Sequence, residues 1–287
     1  MENLRDDDPR RVAEYALQAR LGAGTTGTVF LARSDAGRTV ALKLVREEPA
    51  RDPAFRARLR AEIAGARQGS WMSTTPVLNA DPDGEPPWVV TAFVAGVPLS
   101  RAVVACGPLP EPVLFAVARE IAASLLIVHG AGMIHRGVSP GKLLLAPDRL
   151  HLMERSVVAR ALDGTDSPGF LAPEQTQTRS VTPAADLFSL GSTLYYAATG
   201  RPPFGAGPAD EVAGRIGKAS PVLGFLPPAL AELIGGCLAK DPNARATARQ
   251  VLDFVDRRGP GPLAEGWLPP VLIADIAAQT ALTAAEV

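Results

Sequence analysis

The chain has 287 residues, of which 47% are hydrophobic and 21% are charged. This composition excludes a disordered or fibrous protein, and the length allows a substantial buried core in one two-lobed unit. The 29 basic and 30 acidic residues leave a formal net charge of −1, which gives no electrostatic basis for binding nucleic acid or an anionic membrane. The two cysteines, Cys106 and Cys237, show no metal-ligand spacing and fit a reducing compartment.

The beginning of the chain is unlike a signal peptide. The first eight residues, MENLRDDD, are acidic where a signal peptide is basic and then apolar. No uninterrupted apolar run approaches the ~18 residues of a membrane helix. We therefore expect a soluble, cytoplasmic protein without a membrane span. The tryptophans Trp71, Trp88 and Trp267 are not interleaved with basic residues, so we expect no nucleic-acid partner.

The first part of the chain predicts a β-rich lobe over residues 15–92, preceded by a tail of residues 1–14. Apolar and polar positions alternate around glycines in residues 15–45, a pattern typical of antiparallel strands. Asp52-Pro53 can start a helix that continues to Gln68. Two short strands follow, at 75–79 and 87–92.

The second part, residues 93–258, predicts a helical lobe. Apolar residues recur every three or four positions from Val113 to Val128, which indicates one long buried helix. Further helices are expected near 183–198, 208–217, 227–239 and 246–256. A β-rich lobe followed by a helical lobe is an α+β arrangement, and the cleft between lobes is the natural ligand site. Residues 259–287 begin as a linker and end in an Ala-rich tail that predicts one amphipathic helix, and they can lead to a further segment.

A glycine run in the first lobe carries the first functional signal. Residues 22–29 match G-x-G-x-x-G-x-V, which alone fits a tight hairpin or the dinucleotide fingerprint of another fold. The dinucleotide interpretation needs a following helix, whereas Val29-Phe30-Leu31 is strand-like. Lys43 follows in the run Val-Ala-Leu-Lys, and Glu62 lies on the next predicted helix. Each of the two charges, taken alone, is usually a solvated surface group.

In this order the residues resemble the protein kinase family, with its bilobal fold, glycine-rich flap, strand lysine and helix glutamate. The resemblance continues through Ala172-Pro173-Glu174, the helix that starts near Asp186, residues 199–204 and Asp241-Pro-Asn-Ala-Arg245. It extends from about Tyr15 to Arg258 and is closest to bacterial, actinobacterial-type serine/threonine kinases. It implies a buried Glu174–Arg245 ion pair and an Asp186 carboxylate that accepts hydrogen bonds from the catalytic-loop backbone.

The same resemblance implies an ATP or ADP site. Its adenine would lie between Val29, Ala41 and Leu144, and its phosphates against the glycine run and Lys43. The residues implied to contact or support the nucleotide are Gly22, Ala23, Gly24, Thr25, Thr26, Gly27, Val29, Ala41, Lys43, Glu62, Thr91, Ala92, Phe93, Val94 and Leu144.

The catalytic residues of the family are altered. The loop reads His135-Arg136-Gly137, so glycine stands where the family has an aspartate that accepts the proton of the substrate hydroxyl. Lys142 stands at the magnesium-binding asparagine, and Glu154 stands at the aspartate of the D-F-G triplet. A one-residue shift of that alignment would instead put Arg155 at the aspartate.

Other departures accompany these three. Ser139 replaces a lysine, Arg155 an apolar residue, and Ala66 is small for its usual packing role. The activation segment from Glu154 to Glu174 is short, and its Thr165 is a candidate partner for Arg136 only if phosphorylated. His129 and His151 look isolated and are expected to be structural.

Two functions remain open from the sequence. The first is a pseudokinase with no intact catalytic residue and no metal site, which scaffolds or regulates another protein. ATP would then bind without magnesium, with a Lys142–Glu154 ion pair supplying the charge of the metal. The alternative is a weakly active or atypical ATP-dependent serine/threonine kinase, which retains phosphoryl transfer or moves a different part of ATP. A fully working kinase would require all three replacements to be harmless.

Overall fold

A computed structural model describes residues 1–24, 27–68, 76–153, 168–177, 180–258 and 267–284. The chain divides into two compact units. Among the described residues, the N-terminal unit comprises those up to Ala95 and those from Ala278 onward, and the C-terminal unit comprises those from Gly96 to Ala277. The first is rich in strands and the second in helices, which confirms the predicted bilobal, kinase-like α+β class.

The N-terminal unit is built on one antiparallel sheet with strand order β1-β3-β4-β5-β7-β6, and β2 pairs with β3. Short hairpin connections join β3 to β4 and β4 to β5, as the alternating pattern of residues 15–45 predicts. The strands are β1 Glu2–Asn3, β2 Arg11–Val12, β3 Tyr15–Ala23, β4 Gly27–Ser34, β5 Thr39–Val45, β6 Val77–Asp81 and β7 Trp88–Ala92, and the helices are α1 Glu47–Ala50 and α2 Pro53–Gln68.

The two faces of this sheet bury separate groups of apolar side chains, because successive residues of a strand point to opposite faces. One face packs against α1 and α2, and its core includes Val45, Val89, Phe55, Leu59 and Ile63. The core of the other face comprises Tyr15, Leu17, Phe30, Ala32, Val40, Leu42, Trp88 and Val90.

Residues 1–14 are not a free tail, contrary to the sequence-based expectation. Both β1 and β2 pair with β3, and the buried carboxylate of Asp8 binds the guanidinium of Arg20. Two-residue strands are too short to produce an alternating pattern, and an isolated acidic residue gives no sign of burial. The segment therefore resembles a solvated tail until its long-range partner is known.

The C-terminal unit combines a small sheet, in the order β10-β9-β8, with a group of helices. Single 3₁₀ turns cover Pro140–Lys142, Pro168–Phe170 and Pro242–Ala244. The strands are β8 Val97–Pro98, β9 Leu143–Leu145 and β10 Leu150–Leu152, and the helices are α3 Leu99–Cys106, α4 Glu111–Gly130, α5 Pro173–Thr176, α6 Ala184–Thr199, α7 Ala209–Lys218, α8 Pro228–Cys237, α9 Ala248–Asp256 and α10 Pro270–Ala284, whose last residues from Ala278 belong to the other unit.

Helices α4 and α6 form the centre of this unit. In α6 most residues are buried, and a side chain at Gly191 would place its Cβ 2.6 Å from the Cβ of Cys237, so glycine lets α6 approach α8 closely. Among the described helices, α4 alone has the length and apolar character to cross a membrane. More than half of its most apolar window is buried within the protein, and Arg119 interrupts it, so α4 is a core helix.

The tail predicted for residues 259–287 contains a docked segment. Leu268, Leu272 and Ile276 are buried, and Asp275 forms an ion pair with Arg101 of α3 at 3.2 Å. The indole of Trp267 donates a hydrogen bond to the carbonyl of Pro147 at 3.3 Å. The start of α10 is thus part of the C-terminal unit.

Candidate functional site

The glycine run forms the turn between β3 and β4. The N–H of Gly24 donates to the carbonyl of Gly27 at 2.9 Å, and Gly22 lies opposite Val29. A Cβ at position 27 would lie 2.1 Å from the carbonyl oxygen of Leu44, so only glycine allows β4 and β5 to approach here. At Gly22 and Gly24 a Cβ would meet nothing within 4 Å. Thr25 and Thr26 lie outside the described residues.

Four of the predicted nucleotide contacts share one face of the sheet. In β5, Lys43 lies opposite Val29 of β4, while Ala41 lies opposite Thr91 of β7. Directly opposed residues of antiparallel strands point to the same face, and so do residues two apart along a strand. The register therefore brings Val29, Ala41, Lys43 and Thr91 together. This arrangement provides one cation beside small and apolar side chains.

The predicted partner of Lys43 is on the helix that packs against this same face. Glu62 belongs to α2, next to Ile63, which is buried in the core between α2 and the sheet. The side chain of Glu62 lies outside the described residues, as does that of Ala66. The Lys43–Glu62 ion pair therefore stays a prediction.

The predicted hinge follows β7. Ala92, Phe93 and Val94 are half-buried, and the N–H of Ala92 donates to the carbonyl of Pro76 at 3.3 Å. The contact of this segment with adenine stays a prediction. Leu144 lies in β9 of the C-terminal unit, opposite Pro98 and largely buried.

A buried carboxylate fixes the catalytic loop, residues 135–142. Asp186 is fully buried at the start of α6 and accepts hydrogen bonds from the backbone N–H groups of His135, at 2.8 Å, and Arg136. Arg136 has a φ of 57°, a left-handed conformation that costs energy in a residue with a side chain. The hydrogen-bonding role predicted for Asp186 is confirmed.

His129 is not isolated, contrary to the prediction. Its Nε2 lies 2.8 Å from a carboxylate oxygen of Asp186. His135 lies nearby in the sequence and contacts the carbonyl of Met153 through Nε2 at 3.2 Å. No local pattern of residues indicates the contact between His129 and Asp186, because it joins residues 57 positions apart. His129 therefore has a structural role, as predicted, through its contact with Asp186.

The altered positions lie on the same loop. Gly137 directly follows the two anchored residues, and Ser139 is buried where the family has lysine. The N–H of Met153 donates to the carbonyl of Lys142 at 2.8 Å, which continues the β9–β10 pairing by one residue. Glu154 is the next residue of the chain, and it lies outside the described residues together with Arg155, Ser156 and Thr165.

The described part of the catalytic loop has few oxygen ligands for a divalent metal ion. An ammonium group has three donors and no acceptor, so Lys142 cannot supply the oxygen ligand of the asparagine that it replaces. In the described ranges no group of three His, Cys, Asp or Glu residues could hold a metal ion. Of the two family positions for magnesium ligands, one thus lacks an oxygen ligand, and the other, Glu154, lies outside the described residues.

A bidentate ion pair anchors the end of the activation segment. The Nη1 and Nη2 atoms of Arg245 donate to the two carboxylate oxygens of Glu174 at 2.6 and 2.9 Å, and both side chains are buried. The guanidinium also donates to the carbonyls of Ala184, Ala239 and Lys240. This confirms the predicted pair and shows that all its polar atoms have partners of the kind that buried charges require.

Comparison with known families explains this combination of features. The sequence profile of the protein kinase domain matches residues 15–254. The chain belongs to the protein kinase family. It is 37% identical over 281 residues to the probable serine/threonine-protein kinase PkwA of Thermomonospora curvata, covering 95% of this chain and 37% of that protein.

Other relatives of this kinase domain are also actinobacterial. It is 37% identical over 286 residues to the serine/threonine-protein kinase AfsK of Streptomyces griseus, covering 94% of this chain and 35% of that protein. It is 29% identical over 250 residues to the serine/threonine-protein kinase PknL of Mycobacterium tuberculosis, covering 81% of this chain and 62% of that protein. The chain thus spans little more than a third of the length of the first two relatives.

Sequence reasoning missed one unusual residue of the kinase domain, Lys240. Its Nζ donates to the carbonyl of Ile216 at 2.6 Å and lies 4.1 Å from the ring centroid of Phe204. Burial, together with a smaller effect of the nearby charge of Arg245, lowers the pKa of Lys240 to about 8. The residue directly precedes Asp241-Pro242, but its contacts come from α7 and the loop before it, which no local pattern shows.

Proposed function

We propose that this kinase domain is a pseudokinase that binds ATP or ADP and acts chiefly by binding a partner protein. The observation that carries the proposal is Gly137. Asp186 holds the backbone of His135 and Arg136, so the loop is anchored on the residues just before the altered position. The loop is held in place but has no carboxylate to accept the substrate proton. This combination supports a domain that keeps the kinase fold and has lost phosphoryl transfer.

The size of the effect depends on the role of the missing group. A positioned general base is typically worth ~10²–10⁴ in rate, so glycine at this position alone is compatible with a slow enzyme. Lys142 adds a second defect, because an ammonium group repels the divalent cation that the family usually uses. Two defects at different steps of phosphoryl transfer are more damaging than either alone.

The proposal includes nucleotide without a tightly bound magnesium ion. Magnesium needs oxygen ligands in near-octahedral geometry, and Glu154 is the one candidate carboxylate left of the two family positions. Lys142 lies opposite Met153, and Glu154 is the next residue of the chain, so the proposed Lys142–Glu154 ion pair rests on the opposite charges of two residues that are near each other, not on a contact. In this proposal Lys142 supplies the positive charge near the phosphates.

Nucleotide binding is supported by the N-terminal unit. Gly27 is required for the tight approach of β4 to β5, while Gly22 and Gly24 leave their surroundings open for a ligand. Lys43 shares a sheet face with Val29, Ala41 and Thr91. The partner is proposed to be a cytoplasmic protein, and its identity is not proposed.

The second candidate is an active, atypical serine/threonine kinase. It is favoured by the intact Glu174–Arg245 and Asp186 anchors and by relatives that are named as serine/threonine kinases. If this candidate is correct, another acceptor for the substrate proton must compensate for Gly137.

Transfer of label from γ-labelled ATP to the protein itself or to a basic protein substrate separates the two candidates. The pseudokinase proposal expects no labelling above the Lys43→Met control. Restoring both family residues, with Gly137→Asp and Lys142→Asn, should raise labelling if the rest of the site is intact. Robust labelling of the unaltered protein that Lys43→Met abolishes would favour the enzyme.

A further inference from the structure

The first residues of the chain pair with one short section of β3. Strand β1 pairs with β3 at two positions, Glu2 with Arg20 and Asn3 with Ala19. On its other side β3 pairs with β4, and that register shifts between Leu17 and Ala19 and again between Arg20 and Gly22. The two residues held by β1 are therefore those between the two irregularities.

These irregularities determine where the glycine run begins. A bulge bends its strand and increases the local twist, so the direction of β3 changes on each side of Ala19 and Arg20. The second shift directly precedes Gly22. The backbone at Arg20 and Leu21 thus sets the direction of Gly22 and Ala23, the last residues of β3, with which the glycine-rich turn of residues 22–27 begins.

A buried ion pair ties the N-terminal segment to this bend. The Nε and Nη2 atoms of Arg20 donate to the two carboxylate oxygens of Asp8 at 2.7 and 2.6 Å, and the N–H of Arg5 donates to Asp8 at 2.7 Å. The side chains of Arg20 and Asp8 are only 12% and 4% exposed. Hydrogen bonds from Arg20 lower the pKa of Asp8, so the carboxylate stays charged over the physiological range.

We propose that residues 2–8 are a strap that positions the glycine-rich turn for the phosphates of the nucleotide, with Asp8 and Arg20 as positioning residues. The proposal rests on the proposed nucleotide binding. Without the ion pair, two residues of β1 are too few to hold the bend, so the turn samples more conformations. Nucleotide binding then weakens, because binding must also order the turn.

The chain offers a matched control for this ion pair. Arg11 and Asp35 form another ion pair in the N-terminal unit, in which Nη2 of Arg11 donates to both carboxylate oxygens of Asp35 at 2.6 and 2.7 Å, but their side chains are 52% and 64% exposed. Asp35→Asn therefore removes the same kind of charge from an ion pair at the far end of β3. The test variants are Asp8→Asn and Arg20→Lys, of which the second keeps the charge but loses the planar fork.

Hydrogen exchange measured without nucleotide tests the strap directly. Exchange of backbone amides in residues 21–28 should become roughly tenfold faster or more in Asp8→Asn, less so in Arg20→Lys, and stay unchanged in Asp35→Asn. Unchanged exchange in Asp8→Asn, or an equal increase in β7, would overturn the proposal. If Asp8→Asn does not fold, the milder variant Arg20→Lys is used instead. The proposal then fails if exchange of residues 21–28 is unchanged in Arg20→Lys, or if exchange in β7 increases equally.

Calorimetric titration with ATP and ADP tests the link to phosphates. Both strap variants should bind more weakly than the unaltered protein and the Asp35→Asn control. Unchanged affinity in a variant whose turn exchanges faster would overturn the positioning role. If the unaltered protein binds neither nucleotide, the proposed function fails, while exchange still decides whether the strap holds the turn.

Discussion

Both terminal nitrogens of Arg245 donate hydrogen bonds to the carboxylate of Glu174, at 2.6 and 2.9 Å, although the two residues are 71 positions apart in the sequence. Both side chains are buried, and the guanidinium lies 5.0 Å from the ring centroid of Phe188. Through this pair the loop before α9 holds the end of the activation segment. The pair belongs to the scaffold, and its presence is independent of Gly137.

Breaking this pair should strongly destabilise the fold. We expect Glu174→Gln to lower the free energy of unfolding by about 3–5 kcal/mol, because Arg245 is left buried and uncompensated. Chemical denaturation measures the change. Glu232→Gln is the matched control, since the Glu232 side chain is 65% exposed in its 3.2 Å pair with Arg258 and should contribute only about 0–1 kcal/mol. Similar losses in the two variants would contradict the prediction.

The glycines of the β3–β4 turn should differ sharply in their tolerance of alanine. At Gly27 a Cβ would lie 2.1 Å from the carbonyl oxygen of Leu44, so Gly27→Ala must push β4 and β5 apart. We expect a loss of about 1–3 kcal/mol in the free energy of unfolding. Gly24→Ala is the control, because a Cβ there meets nothing within 4 Å. Thermal unfolding of both variants checks the prediction, which fails if Gly27→Ala is as stable as Gly24→Ala.

Removing divalent metal should not abolish nucleotide binding. We expect ATP to raise the melting temperature in EDTA, because Lys43 and Lys142 supply positive charge without a metal ion. Lys43→Met should abolish the increase, whereas Lys218→Met, which alters an exposed lysine of α7, should retain it. Differential scanning fluorimetry is the measurement. An increase that occurs only with added magnesium would contradict magnesium-independent binding.

Lys240 should make stability depend on pH in the mildly alkaline range. Burial lowers its pKa to about 8 from an ordinary value of 10.5, so between these values the unfolded chain binds more protons than the folded chain. The free energy of unfolding therefore increases as the pH rises above about 8. This gain in stability disappears again as the pH falls through the pKa that Lys240 has in the folded protein. Methionine does not titrate, so the free energy of unfolding of Lys240→Met should increase less steeply with pH than that of the unaltered protein.

Denaturation of Lys240→Met and the unaltered protein from pH 7 to roughly pH 9.5 measures this difference, below the range in which tyrosines titrate. Lys218→Met again serves as the control and should keep the slope of the unaltered protein. Parallel curves for Lys240→Met and the unaltered protein would show that the amine does not titrate in this window.

The class of fold and the main departures from kinase chemistry could be predicted from the order of the amino acids. Periods of two and of 3.6 residues separate strands from helices in a long chain, so α2, α4 and α6 fall within a few residues of their predicted bounds. Ordered motifs identify Asp186, Glu174 and Arg245 as scaffold residues, because the family fixes their order along the chain. Gly137 and Lys142 can also be read directly from the sequence.

The contacts between residues far apart along the chain could not be predicted and became visible in the folded protein. The contacts of His129 with Asp186, Asp8 with Arg20, and Asp275 with Arg101 join segments that no local period connects. The ends of the chain were therefore predicted as tails although they pack. A hydrophobic pattern indicates which side of a segment is buried in the core. Whether two charged side chains form a pair depends on where the fold places them, because each of them alone resembles a solvated surface group.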